Sequence, residues 1–308
     1  DISFDNKLID DFVILKSDGF PTYHLASVVD DHYMGVSHVL RAEEWLSSVP
    51  RHVRLYSAFG WELPVFAHLP MILAADRSKL SKRHGATSVL EYREMGYLPQ
   101  AMMNFLSLLG WSYDGRTEVV TLNELVSHFS LDRISSSAAV FDIQKLQWMN
   151  GHYIRSISDE ELAGTLLDYW RRYPSCAIRD LPKLALLARI VPLIKERIKT
   201  LSEAAPLISF FFEGPQYHDS ELVQKKMDST ATKYVLNMAY ESLNNLTDFE
   251  ADSIETELRK LADGAGIKVG QFLGPLRIAV TGLKVSPPLF ETMAVLGRDQ
   301  TLNSISMA

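Results

Sequence analysis

Apolar and polar positions in the first 75 residues switch between a short and a long period. Phe12-Val13-Ile14-Leu15-Lys16 is a brief apolar run, closed by the turn cluster Ser17-Asp18-Gly19-Phe20-Pro21. From Tyr23 to Tyr33 the spacing becomes helical, with Leu25, Val28, Val29 and His32 on one face. His38-Val39-Leu40-Arg41 predicts a short strand. Trp45 to Phe59 predicts a helix stopped by Gly60, and Val65 to Leu73 a second strand. Strands alternating with helices predict part of a parallel sheet with crossovers.

From Ser88 onward the pattern is mainly helical. Pro99 opens a run carrying Met102, Phe105, Leu106 and Leu109, which Gly110 ends. Thr121–Glu124 and Ser158–Glu161 have capping-box spacing, and Leu162, Leu166, Leu167 and Trp170 form a stripe behind the second. Another stripe runs from Leu184 through Leu187, Val191, Ile194 and Ile198 to Leu201, with a kink predicted at Pro192. Ala231 to Leu246 and Ser253 to Ala265 are two further helices. The fold class is α/β followed by all-α. The main composition shift falls near Ser156, with a softer one near Thr87.

Length and charge narrow the picture. The 308 residues suffice for two or three domains, and an apolar fraction of 47% fills ordinary cores. Cys176 is the only cysteine, which excludes an intrachain disulfide and a cysteine-based zinc site and fits a reducing cytoplasm. The apolar runs are too short for a membrane span. Asp1-Ile2-Ser3-Phe4-Asp5 has no initiator methionine and no signal-peptide pattern, so the chain reads as a piece of a longer polypeptide. A net charge of −7 argues mildly against nucleic-acid binding, but the charges segregate: residues 183–199 carry a local +4.

The candidate chemistry starts at Lys79-Leu80-Ser81-Lys82-Arg83-His84-Gly85. Two lysines three apart in a polar loop can cover a polyphosphate and offset charge as pyrophosphate leaves. Taken alone this is weak, since about one chain in ten of this length holds a K-x-S-K by chance. A solvated turn is the ordinary alternative. Asp30-Asp31-His32 suggests a metal site, but consecutive helical residues point about 100° apart and cannot converge on one ion. His24 and His32, about two turns apart, are expected as packed, hydrogen-bonded histidines. Arg41 and Arg197, each taken singly, read as surface charges.

Together the blocks say more. Tyr23-His24-Leu25-Ala26, Asp30-Asp31-His32, Arg41-Ala42-Glu43-Glu44-Trp45 and Lys79-Leu80-Ser81-Lys82 resemble the second half of the catalytic domain of bacterial-type glutamyl-tRNA synthetases, which are class I enzymes. Similarity continues through Phe141–Gly151 to Gly274–Gly282, essentially the whole chain. The resemblance implies glutamate binding by Tyr23, Ser27 and Arg41, where a guanidinium fork suits a carboxylate. It implies an ATP site lined by Glu44, Ile72 and Ser81, with Lys79 and Lys82 catalytic and Lys82 on the phosphates. Arg197 and Arg277 match anticodon-reading positions, and arginine at 197 resembles enzymes restricted to glutamate tRNA. The implied partners are tRNA(Glu), L-glutamate and ATP, with Mg2+ arriving on the nucleotide, no zinc, no membrane and a monomeric enzyme.

The implied domains are residues 1–87 as the C-terminal part of a Rossmann-like catalytic domain and 88–155 as a stem-contact region. Residues 156–308 would be a helical anticodon-binding region in two subdomains meeting near 215. The His-x-Gly-His motif that class I synthetases place near the start of the catalytic domain does not occur here. The isolated chain is therefore expected not to aminoacylate. Three alternatives stay open: a glutaminyl-tRNA synthetase, whose bacterial examples end in β-barrels; a non-catalytic tRNA-binding module; and a helical structural protein with an accidental lysine loop.

Overall fold

The computed structural model describes residues 2–81, 83, 85, 88–225 and 227–308. The chain forms two compact units: Asp1–Thr87 with Met103–Ile143, and Ser88–Met102 with Gln144–Ala308. The stretch 88–155 therefore divides between them, residues 103–143 folding with the first.

In the first unit, helix α1 (Tyr23–Tyr33) leads to strand β1 (His38–Ala42), and helix α2 (Val49–Phe59) leads to strand β2 (Val65–Leu69). β1 and β2 are parallel, with Arg41 opposite His68 and Ala42 opposite Leu69. Parallel strands need a crossover, and α2 provides it. Val28 of α1 and Leu55 and Tyr56 of α2 form the core here, joined by Leu25, Trp61 and Phe66. The helical face predicted for α1 is thus the buried one, and His32 lies flat on Trp61 at 3.9 Å. A second small pair, β3 (Ile72–Leu73) and β4 (Ala139–Val140), is also parallel. Beside it Trp111, Val120 and Leu125 make a separate cluster.

Several local expectations change. The predicted strand 65–73 breaks at Pro70, which has no N–H for a ladder, so its two parts belong to different sheets. The predicted helix from Trp45 starts as a 3-10 stretch, Glu43–Ser48, and becomes α-helical only at Val49, where Pro50 occupies a first-turn position that needs no donor. Phe12–Lys16 joins no sheet beyond a single antiparallel bridge, Leu15 to Pro21, and leaves Val13 and Leu15 exposed.

Among the described residues of the second unit, two apolar clusters stand out. One gathers Leu162, Leu166 and Trp170 with Leu187, Ile190 and Ile194, and extends to Phe211. The other begins at Leu222 and centres on Val235, Ile254 and Phe272. The stripe predicted to Leu201 outlasts its helix, which ends at Ile194 two residues past Pro192, yet Ile198 and Leu201 stay buried. The Thr121–Glu124 capping box forms. Ser158 caps its helix by accepting the Glu161 N–H. Among the described residues no strand lies beyond Val140.

Candidate functional site

The carboxyl ends of parallel strands are where open α/β sheets bind ligands, because the chain leaves in loops there while the strands hold those loops fixed. Arg41 and His68 sit side by side at these ends of β1 and β2. The Arg41 Nε–H donates to His68 Nε2 at 3.2 Å, which requires a neutral His68 carrying its proton on Nδ1. The guanidinium also lies over the Phe66 ring at 5.8 Å. Its Nη2 is buried and has no hydrogen-bond partner among the described residues. A buried cationic donor left open is an unusual expense, and an incoming carboxylate would satisfy it.

Neutral histidines pack around this cation. His52 of α2 is 1% exposed, and its Nε2 shares a 3.0 Å hydrogen bond with His24 Nδ1 of α1. Burial, the charge of Arg41 and the neighbouring His24 bring His52 down to a pKa of about 4. Burial first, then Arg51 and Arg41, lower His24; burial and Arg41 lower His68. Asp31 is raised by burial, with Arg41 opposing. Ser27 lies one helical turn before Asp31 on α1 and opposes the rise in its pKa. Tyr23 packs on Trp45 at 5.4 Å and near His52 at 6.2 Å, with much of its surface open.

Immediately after β1, Glu44 Oε2 accepts from Lys79 Nζ at 2.6 Å. Lys79 is carried there by a tight reversal after β3: Ala74 N–H donates to Ser78 O, Leu80 N–H donates to Ile72 O, and Arg77 takes a φ of 63°. Asp76 secures the turn by accepting the Ser78 N–H at 2.9 Å. The structure thus brings Glu44, Ile72 and Lys79 together, with Ser81 two residues further on. Lys82, the other lysine of the loop, lies outside the described residues. Among the described residues no cluster of three or more His, Cys, Asp or Glu could hold a metal ion.

In the second unit, Arg197 is exposed. Arg277 donates from Nη1 to Ser286 Oγ at 2.6 Å. Burial first, then the charge of Arg197, lower its pKa. Lys195, from the same basic run, is committed to Asp159 Oδ1 at 2.9 Å.

Residues 1–148 match the family model for "tRNA synthetases class I (E and Q), catalytic domain", and residues 161–308 match "Anticodon binding domain". The glutamate–tRNA ligase of Dehalococcoides mccartyi is 50% identical over 309 residues, taking in 100% of this chain and 64% of that protein. That of Moorella thermoacetica is 43% identical over 310 residues, 100% of this chain and 63% of the relative. The crystal structure of a glutamate tRNA ligase from Elizabethkingia meningosepticum in complex with its amino acid superposes with a TM-score of 0.83 at 32% identity, covering 98% of this chain and 62% of that one. Over its whole length the chain is similar to glutamate–tRNA ligases, and its two halves match class I catalytic and anticodon-binding models. It spans a little under two thirds of the length of these relatives.

Similarity to glutamate–tRNA ligases over the whole chain, and a second unit that is helical among the described residues, speak against the glutaminyl enzyme with its terminal β-barrels and against an accidental lysine loop. Sequence reasoning missed the roles of His52 and His68 beside Arg41. His68 was within reach, because Arg41 and His68 each stand three residues into a parallel strand. His52 was not, since only the packing of α2 against α1 brings it to His24.

Proposed function

We propose that the chain supplies the amino-acid-binding and lysine-loop half of a glutamate-activating site, together with the tRNA-reading region of a glutamate–tRNA ligase. The observation that carries this reading is Arg41, a cation fixed by neutral His68 with one buried donor left for a carboxylate. Tyr23, whose ring packs at a tilt against Trp45, offers a phenol for a second, directional hydrogen bond. In the reaction a glutamate carboxylate oxygen attacks the α-phosphorus of ATP, the bond to the β-phosphate oxygen breaks, and glutamyl-adenylate and pyrophosphate result. Lys79 and Lys82 offset the charge gathering on the departing pyrophosphate. Glu44 holds the Lys79 ammonium near this position until nucleotide replaces it. The 3′-terminal ribose hydroxyl of tRNA(Glu) then takes the glutamyl group and AMP leaves. Magnesium accompanies ATP, with no protein ligand assigned to it.

Arg197 and Arg277 are assigned to the anticodon. Arg277, half-buried and anchored on Ser286, adds a second positive charge to the region of the exposed Arg197. Residues 1–87, 88–155 and 156–308 take the catalytic, stem-contact and anticodon roles, in a monomeric cytoplasmic enzyme.

Because no His-x-Gly-His occurs in these 308 residues, the chain by itself is assigned tRNA binding without glutamate activation. Fluorescence anisotropy with a tRNA(Glu) transcript and glutamate-dependent ATP–pyrophosphate exchange test this together. Salt-sensitive tRNA binding with no exchange is the expected result. Exchange by the chain alone, above a Lys82→Ala control, contradicts it.

A further inference from the structure

A cleft of about 780 Å³ in the second unit is lined by Arg93, Arg171 and Arg172 and by Tyr97, Tyr169 and Tyr173. Arg171 and Arg172 close the helix Asp159–Arg172, and Arg93 stands in the last turn of the helix Val89–Glu94. Cations at helix ends are ordinary, since they offset the negative end of the dipole. The dipole does not account for three of them meeting three tyrosines around one cleft.

The side chains are held for a ligand of particular chemistry. Arg93 Nε donates to Tyr173 Oη at 3.0 Å, which fixes the plane of its guanidinium. Tyr169 Oη donates to Glu94 O at 2.6 Å, and its ring lies 5.4 Å from that of Tyr173. Asp168 is the single acid lining the cleft, paired with Arg171 at 2.8 Å in the open, where such a pair exchanges cheaply for phosphate. Arg172 has no hydrogen bond or ion pair among the described residues. The nearby acids Glu91, Glu94 and Glu203 line a different cavity, which shares Tyr97 with this one. Local positive charge on a chain of net charge −7 marks an anion site.

We propose that this cleft binds the sugar–phosphate backbone of RNA. Guanidinium forks take the phosphates, the half-buried Tyr173 meets the sugar edge, and the buried Tyr97 and Tyr169 form the floor. The site is separate from Arg197 and Arg277 and contributes affinity and register without reading sequence. It rests on the tRNA binding proposed above.

The test is fluorescence anisotropy of the 308-residue chain with a tRNA(Glu) transcript between 50 and 300 mM salt. In Arg171→Gln/Arg172→Gln, Kd at about 150 mM salt should rise about tenfold. The slope of log K against log salt should fall by about 1.5, with discrimination between anticodon variants unchanged. Arg171→Lys/Arg172→Lys should recover most of the slope. If the glutamine pair loses its helical circular dichroism, Arg93→Gln carries the same test, with an expected slope change of about 0.8. Wild-type slope and affinity in the folded glutamine variants overturn this proposal alone. Absence of tRNA binding by the unaltered chain overturns it together with the reading it rests on. Sodium tripolyphosphate should bind at least about a hundredfold more weakly than tRNA; comparable binding overturns the assignment to RNA.

Discussion

Acid should loosen the first unit through His52, and the size of the effect follows from its surroundings. His52 is buried, shares a hydrogen bond with His24 and lies near Arg41, so its pKa falls from 6.5 to about 4. Both folded and unfolded chains hold it neutral above pH 6.5, where it is neutral in its effect on stability. Between 6.5 and about 4 only the unfolded chain takes up the proton, so stability is lost as pH falls. Proton linkage gives about 2 kcal/mol lost at pH 5 relative to pH 7.5, approaching about 3 kcal/mol near pH 4. His24 and His68 are lowered too and act in the same direction. Asp31 opposes them: its raised pKa favours the folded state once pH drops below that value, toward its ordinary 3.8. The assay is urea unfolding followed on the amide NMR signals of β1 and β2 at pH 7.5 and 5. His52→Phe should remove about 2 kcal/mol of the pH dependence, although it costs some stability at pH 7.5. An imidazole titration placing His52 near 6.5 in the folded chain refutes the reasoning, as does equal stability of the unit at both pH values.

Other consequences are more local. Gly96 has φ +87°, and a Cβ there would stand 2.6 Å from Leu201 N; Gly96→Ala should cost about 2 kcal/mol or more in urea unfolding of the second unit. Asn150 accepts the Leu98 N–H at 2.8 Å and donates to Lys199 O, so Asn150→Ala leaves buried backbone groups unpaired and should cost about 2 kcal/mol in the same assay. Trp170, 1% exposed in the first core of that unit, should cost about 4 kcal/mol when cut to alanine. Glu44→Ala removes the partner of Lys79; the pair is exposed, so thermal stability should move by less than about 1 kcal/mol, while the Lys79 ammonium signal in NMR loses its contact to residue 44.

The sequence pattern revealed the elements better than their pairing. Val28 and Leu25 declared the buried face of α1 because a helix against a sheet must hide one stripe, and Trp170 with Leu166 did the same in the second unit. Pro70 was equally visible, but an apolar run through it looked continuous until the ladder demanded an N–H that proline lacks. Arg41 and Lys79 could be singled out from the blocks around them. The Glu44–Lys79 pair spans 35 residues, and the His24–His52 bond spans 28. Such contacts depend on how α2 crosses over the sheet, which no local pattern encodes. The failure of the 88–155 stretch to fold as one piece has the same origin. Asn104 is buried and ties 103–143 together through Glu118 O and Val120 N–H, while the pairing of β4 with β3 attaches that segment to the first unit.

The proposed grip of Arg41 on a carboxylate of the amino acid can be measured by joining this chain to the part of the Dehalococcoides mccartyi ligase that lies outside the matched region. Glutamate-dependent ATP–pyrophosphate exchange is then measured for Arg41 and for Arg41→Ala. Exchange by the parent is expected, with a KM for glutamate raised about a hundredfold or more in the variant, since a buried charge-assisted pair is lost, and a KM for ATP nearly unchanged. An unaltered KM for glutamate in a folded Arg41→Ala enzyme would contradict it.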